Sequence, residues 1–148
     1  MADKEKSAEL ILKLYDLRRE EVMRQARNWF FAFNPETVED VIKAATGTDS
    51  AYYRMVTSYW DMACSFVNHG AIDEEMFAAA NQEHNLVYAK VQPFVEEIRT
   101  RVGPQYMAHL EQVVMRQPNA KENLERLREM AKSIAAARAS ASADAANA

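Results

Sequence analysis

Residues 52–77 read YYRMVTSYWDMACSFVNHGAIDEEMF, and their spacing decides the fold. Tyr52, Val56, Tyr59, Ala63, Phe66 and Val67 recur at helical intervals, and so do Tyr53, Trp60, Cys64 and Val67. Two neighbouring apolar stripes cover most of a helix's circumference, which is the pattern of a central helix in a bundle. A narrow polar strip is left: Arg54, Thr57, Ser58, Asp61, Ser65 and Asn68. Gly70 then offers the left-handed position that commonly ends a helix, because it has no Cβ to clash. Asp73 is placed to cap a following helix, with Glu74 and Glu75 in a first turn where the helix dipole favours anions. The stretch reads as helix, tight corner, helix.

Working outward, the composition agrees. The 148 residues suffice for one substantial core, with 49% hydrophobic and 27% charged residues. Only 3 Gly and 4 Pro leave too few turn formers for an all-β fold. Residues 7–33 follow one helical stripe through Leu10, Leu14, Leu17, Val22, Ala26, Trp29 and Phe33, imperfect around Arg18 to Glu21. This predicts a long N-terminal helix of roughly 40 Å at 1.5 Å per residue, with Ser7 as its cap. Asn34-Pro35 opens a short helix to about Ala45, ended by Gly47. Past the corner, Glu74 to Val91 forms one helix, and Pro93 kinks or restarts it. Gly103-Pro104 is a stop and a start, and Asn119 with Glu122 resembles a capping box before the last helix. The expectation is an all-α, single-domain bundle of six or seven helices over 1–138, with a long N-terminal helix and a central buried helix. The Ala/Ser-rich tail 139–148 has no apolar face and is expected to be disordered.

The run YWDMACSFVNHGAIDEEMF, Tyr59 to Phe77, resembles the core signature of a bacterial all-helical family of unknown function. Trp60 and Asp61 are its mid-helix aromatic and acid, and Gly70, Ile72, Asp73 and Glu75 its corner. The resemblance implies an all-helical bacterial protein and carries no activity with it.

Charge is unevenly spread. Residues 1–33 hold 7 Lys/Arg against 6 Asp/Glu, residues 34–100 hold 4 against 11, and residues 101–148 hold 7 against 5. The acidic middle argues against nucleic-acid binding, which rests on a basic footprint. The start, MADKEKSAEL, has no apolar h-region. The longest apolar run, Trp29 to Phe33, is far short of the roughly 20 residues a membrane helix needs. A cytoplasmic protein without membrane insertion is expected. Cys64 is the only cysteine, so no internal disulfide can form.

Chemistry-bearing motifs are scarce. Counting back three residues from His69, His84 and His109 gives Phe66, Asn81 and Tyr106, so the Glu-x-x-His pattern of bundle metal sites is missing. Neither metal, cofactor nor catalytic residues are assigned, and the protein is not expected to be an enzyme. His84 falls on an apolar face, as a core histidine with satisfied nitrogens or as a polar group in a pocket. Asp61 lies one turn from Thr57 and Ser65, facing solvent or lining an interhelical pocket. Leu124, Leu127, Ala131 and Ile134 repeat at a coiled-coil interval and need a neighbouring helix, from this chain or a second copy. Two functional readings remain. The first is a non-enzymatic helical protein working through a protein partner or a homo-oligomer. The second is a small-ligand-binding or regulatory domain with an interhelical pocket near Arg54, Thr57, Asp61 and His84.

Overall fold

The computed structural model describes residues 2–148. Among them stand nine α-helices, one 3-10 turn and no strand. The helices are α1 (Lys4–Arg18), α2 (Glu21–Ala32), α3 (Val38–Thr46), α4 (Ser50–Asn68), α5 (Glu74–Ala80), α6 (Glu83–Val91), α7 (Val95–Val102), α8 (Ala108–Met115) and α9 (Ala120–Ala146). The 3-10 turn, Gln92–Phe94, comes directly after α6. The all-α expectation holds, and the count exceeds six or seven because two expected helices are each divided.

The long N-terminal helix is two helices. Glu20 leaves helical geometry, and its carboxylate accepts from the N–H groups of Val22 at 3.0 Å and Met23 at 2.9 Å. A glutamate thus does the work of an N-cap, satisfying donors that the first turn leaves open. Asp3, not Ser7, caps α1 through Lys6 N–H. Ser7 is buried, and its Oγ accepts the Asp73 N–H at 2.9 Å, tying α1 to the corner before α5. The second division falls at Asn81-Gln82. Asn81 is extended, its Nδ2 donates to Phe77 O, and Gln82 Nε2 donates to Ala78 O. Two side-chain amides close the end of α5 where a continuing backbone would have done so.

Smaller boundaries also move. Asn34-Pro35 precedes α3 without starting it. Thr37 and Asp40 form the reciprocal capping box instead, with Asp40 N–H to Thr37 Oγ1 at 3.2 Å and Thr37 N–H to Asp40 Oδ2 at 3.1 Å. Asn119 caps nothing with its side chain and stands left-handed at φ 55°. The stretch 139–148, expected to be disordered, continues α9 as helix to Ala146, and every residue from Ala136 on is exposed.

The corner at Gly70 is as expected. Gly70 has φ +78°, Ala71 N–H reaches Phe66 O at 2.9 Å, and Gly70 N–H reaches Val67 O at 3.0 Å. These two bonds make a Schellman motif. A Cβ at Gly70 would meet nothing within 4 Å, so a substitution there costs conformational strain and no clash. Gly70→Ala should therefore destabilise by about 1 kcal/mol, and Gly70→Val by more, because a β-branched residue tolerates positive φ least. Urea unfolding tests the order; two variants as stable as the parent would remove the left-handed corner.

One core runs from Leu14 to Leu124. α4 packs mainly on α2 and α8, and α9 lies along α6. Trp60 is fully buried, its ring T-shaped against Tyr59 and Phe77. The most enclosed element is α6, not α4. Buried residues make up 7 of the 9 positions in α6, whereas α4 keeps Arg54, Ser58 and Met62 exposed. A short helix covered on all sides shows no periodicity, which is why the sequence pattern favours α4.

Candidate functional site

The polar strip of α4 opens on a broad cleft of about 610 Å³. Arg54, Thr57, Ser58 and Asp61 form one wall, and Val102, Gln105, Tyr106 and Met107 the other. Asp61 has a definite task there. Its Oδ1 accepts the Leu110 N–H at 2.9 Å, in the first turn of α8. That turn begins after Met107, which is left-handed at φ 54° and caps nothing with its own side chain. Asp61 therefore caps α8 from a different helix, joining α4 to α8 by a charge-assisted bond. Thr57 Oγ1 donates to Tyr53 O at 2.9 Å, and Arg54 Nε to Ser50 O at 3.3 Å, both along their own helix. The hydroxyls of Tyr53 and Tyr106 bond to each other at the cleft's inner edge, and burial raises both phenol pKa values.

His84 lies elsewhere. It is fully buried, its ring 5.0 Å from Phe77 and 5.6 Å from Trp60, and it does not line the Asp61 cleft. Neither nitrogen has a hydrogen-bond partner, so the histidine is a core residue without the satisfied nitrogens expected of one. Burial, and secondarily the Arg18 guanidinium, pushes its pKa down to about 4. Arg18 stacks over Trp60 at 5.3 Å, and its Nε and Trp60 Nε1 are also unpartnered. The four residues of the expected pocket thus divide: Arg54, Thr57 and Asp61 share a cleft, while His84 sits in the core.

The α9 seam has an internal neighbour. Leu124 and Ala131 are buried, Leu127 and Ile134 half-buried, and α6 runs alongside. Arg128 fastens the pair, its Nη1 donating to Ala89 O at 3.0 Å and Gln92 Oε1 at 3.1 Å. Cys64 is buried and its thiol pushed up to about 12, first by desolvation, so it is no thiolate at neutral pH. His69 bonds Ser65 O through Nδ1 at 2.7 Å, and its ring lies 5.5 Å from that of His109. Among the described residues no group of three or more His, Cys, Asp or Glu is placed to hold a metal.

These helices coincide with a known sequence family. Residues 6–132 match the model described as Domain of unknown function (DUF4760). The chain belongs to that family. The DUF4760 match runs from the first turn of α1 into the first half of α9, far beyond the Tyr59 to Phe77 run that carries the resemblance. No curated protein and no solved structure matches the chain. No helix among the described residues is long and apolar enough to cross a membrane.

Three polar features of this DUF4760 chain escape a reading of the sequence. Lys90, 2% exposed, donates from Nζ to Phe30 O at 2.9 Å and Phe31 O at 2.8 Å, closing the carbonyl end of α2. Burial lowers its pKa to about 8. Arg27 Nε contacts both carboxylate oxygens of Glu83 at 3.0 Å. Arg99 joins Glu111 at 3.2 Å, and Glu111 also accepts the Tyr88 hydroxyl. Only Lys90 left a signal: a lone lysine inside LVYAKV, a run otherwise apolar on every side.

Proposed function

We propose that this protein is a non-enzymatic helical module that works through protein contacts, the first of them with a second copy of itself. The observation that carries the reading is the exposure of apolar residues on two sides of α1. Leu12 is 65% exposed, Tyr15 49% and Leu17 48%. Only Ser7 and Leu14 of this helix are buried, so its apolar residues extend well beyond the side that packs on the core. A helix apolar on most sides is normally covered on most sides. Among the described residues, Leu12 and Leu17 stay largely uncovered, and only the Arg18 and Arg19 guanidiniums lie over the Tyr15 ring.

Size-exclusion chromatography with light scattering tests the reading. The parent should run at about twice the 16.9 kDa of one chain. Leu12→Glu with Leu17→Glu should return the monomer mass at an unchanged melting temperature, because neither side chain supports the core. Leu127→Asp with Ile134→Asp is the contrasting pair. The packing of α9 along α6 supports an internal seam, so that variant should keep the parent mass and lose roughly 5 °C or more, as charges replace packed aliphatics. A parent that stays monomeric at every concentration would sink self-association. The alternative, a small-ligand pocket near Asp61, loses support from the geometry, because Asp61 already caps α8 and His84 does not share its cleft.

A further inference from the structure

We propose that the cleft between the α2–α3 loop, α6 and α9 binds a small phosphate monoester. It measures about 420 Å³ and brings together Lys90, Arg128 and Lys132, with Glu36 the only acid in its lining. That size falls within the range of small-molecule sites. Closing the end of α2 requires one cation, which Lys90 supplies with two of its three N–H bonds. Arg128 and Lys132 add two more charges to the same cleft. Like charges gathered in a cleft with low-dielectric walls repel each other and raise the local concentration of anions.

None of these three cations is engaged by a carboxylate. Arg18, Arg27, Arg99, Arg101 and Arg116 each meet a carboxylate within 4.0 Å, whereas Lys90, Arg128 and Lys132 meet none among the described residues. Arg128 engages the chain through Nη1 alone. A phosphate dianion suits such a set better than a single carboxylate. It carries about two charges and three acceptor oxygens, and guanidinium and ammonium donors are its usual partners. Pro35, Pro93 and Phe94 complete the lining and give a small organic body an apolar wall. Anion binding in this cleft is independent of self-association through α1.

The test uses the full chain and phenyl phosphate as probe, at pH 7 and constant ionic strength. Titration calorimetry should show saturable binding of one equivalent, and inorganic phosphate should compete. Lys132 is exposed, so Lys132→Glu should melt with the parent when unliganded, yet bind phenyl phosphate at least about tenfold more weakly. The Lys90 amine, followed by NMR, should titrate at higher pH once phosphate is bound, as an adjacent anion favours the charged form. Equal binding by Lys132→Glu, or no saturable binding at millimolar probe, would overturn the proposal. So would an RNA oligonucleotide that shifts the resonances of these residues when phenyl phosphate does not, since the basic set would then serve an extended polyanion.

Discussion

Trp60→Ala is expected to cost the fold about 3–5 kcal/mol in urea unfolding at neutral pH. The indole is fully buried near the middle of α4, where Tyr59, Phe77, His84 and the Arg18 guanidinium surround it. Truncation removes most of that packing, and the neighbours belong to four different helices, so the site cannot collapse by moving one of them. The upper half of the range is favoured because Arg18 loses the ring it lies on, and with it a cation–π contact. Part of the loss is offset, since Trp60 Nε1 has no partner and its removal ends a buried unsatisfied donor. That offset is worth about 1–3 kcal/mol at most and cannot reverse the sign. A loss under about 1 kcal/mol would mean that Trp60 does not organise the core.

The chemistry that made Trp60 legible from the sequence also explains what was not. Apolar periodicity over Tyr52 to Val67 specifies a long helix with a buried face, and Gly70 with Asp73 specifies how it ends and where the next helix starts. These signals are local, each within a turn or two of the residue that sends it. The break at Glu20 is also local, but its signal is weak. Glutamate is rarely a cap, and the lapse of the stripe between Leu17 and Val22 looks like a local imperfection of one helix, although the backbone leaves the helix there for one residue. Asn81-Gln82 hides the same way, because amide side chains are tolerated within a helix as readily as they close one.

The candidate site was less legible because its geometry is made by distant partners. Asp61 sits on a polar strip in the sequence, yet its purpose depends on the Leu110 N–H of α8, whose own N-cap Met107 offers no capping side chain. Nothing within two turns of Asp61 announces that need. Arg54, Thr57 and Asp61 lie on one side of α4, so their shared cleft follows from helical spacing alone. His84 could be joined to them only by guessing how α6 crosses α4, and it arrives on the Trp60 side. Lys90 reads as an anomaly in an apolar run, but its meaning is supplied by the end of α2, some sixty positions earlier. The seam at Leu124 to Ile134 announced a neighbour without naming it. The neighbour, α6, is too short and too evenly apolar to present a matching stripe.

Between pH 7 and pH 4 the parent should lose about 3 kcal/mol of stability through His84 alone, the equivalent of its displacement from 6.5 to about 4. The unfolded chain binds a proton at His84 near pH 6.5, whereas the folded chain resists until about pH 4. In that interval the unfolded state holds more protons, so stability rises with pH and falls on acidification. The contribution is complete above pH 6.5 and gone below pH 4. Burial is the first cause of this resistance, and Arg18 the second. Trp60 from α4 and Phe77 from α5 offer an imidazolium no hydrogen-bonding acceptor, and Arg18 at the end of α1 presents a like charge. Glu83, the next acid along α6, lies within 4.0 Å of both Arg18 and Arg27 and is engaged by them. Backbone N–H donors hold the carboxyls of Glu20 and Asp40 below their ordinary values, so their own contributions to stability fade at the acid end of this interval. His84→Leu keeps a comparable volume and removes two unsatisfied nitrogens, so it should match the parent at pH 7 within about 1.5 kcal/mol. Its urea midpoint should then fall less between pH 7 and pH 5, by an amount equivalent to about 2 kcal/mol. Parallel midpoint curves for the two proteins would show that His84 takes up its proton as readily folded as unfolded, and that the space between Trp60 and Phe77 is open to water.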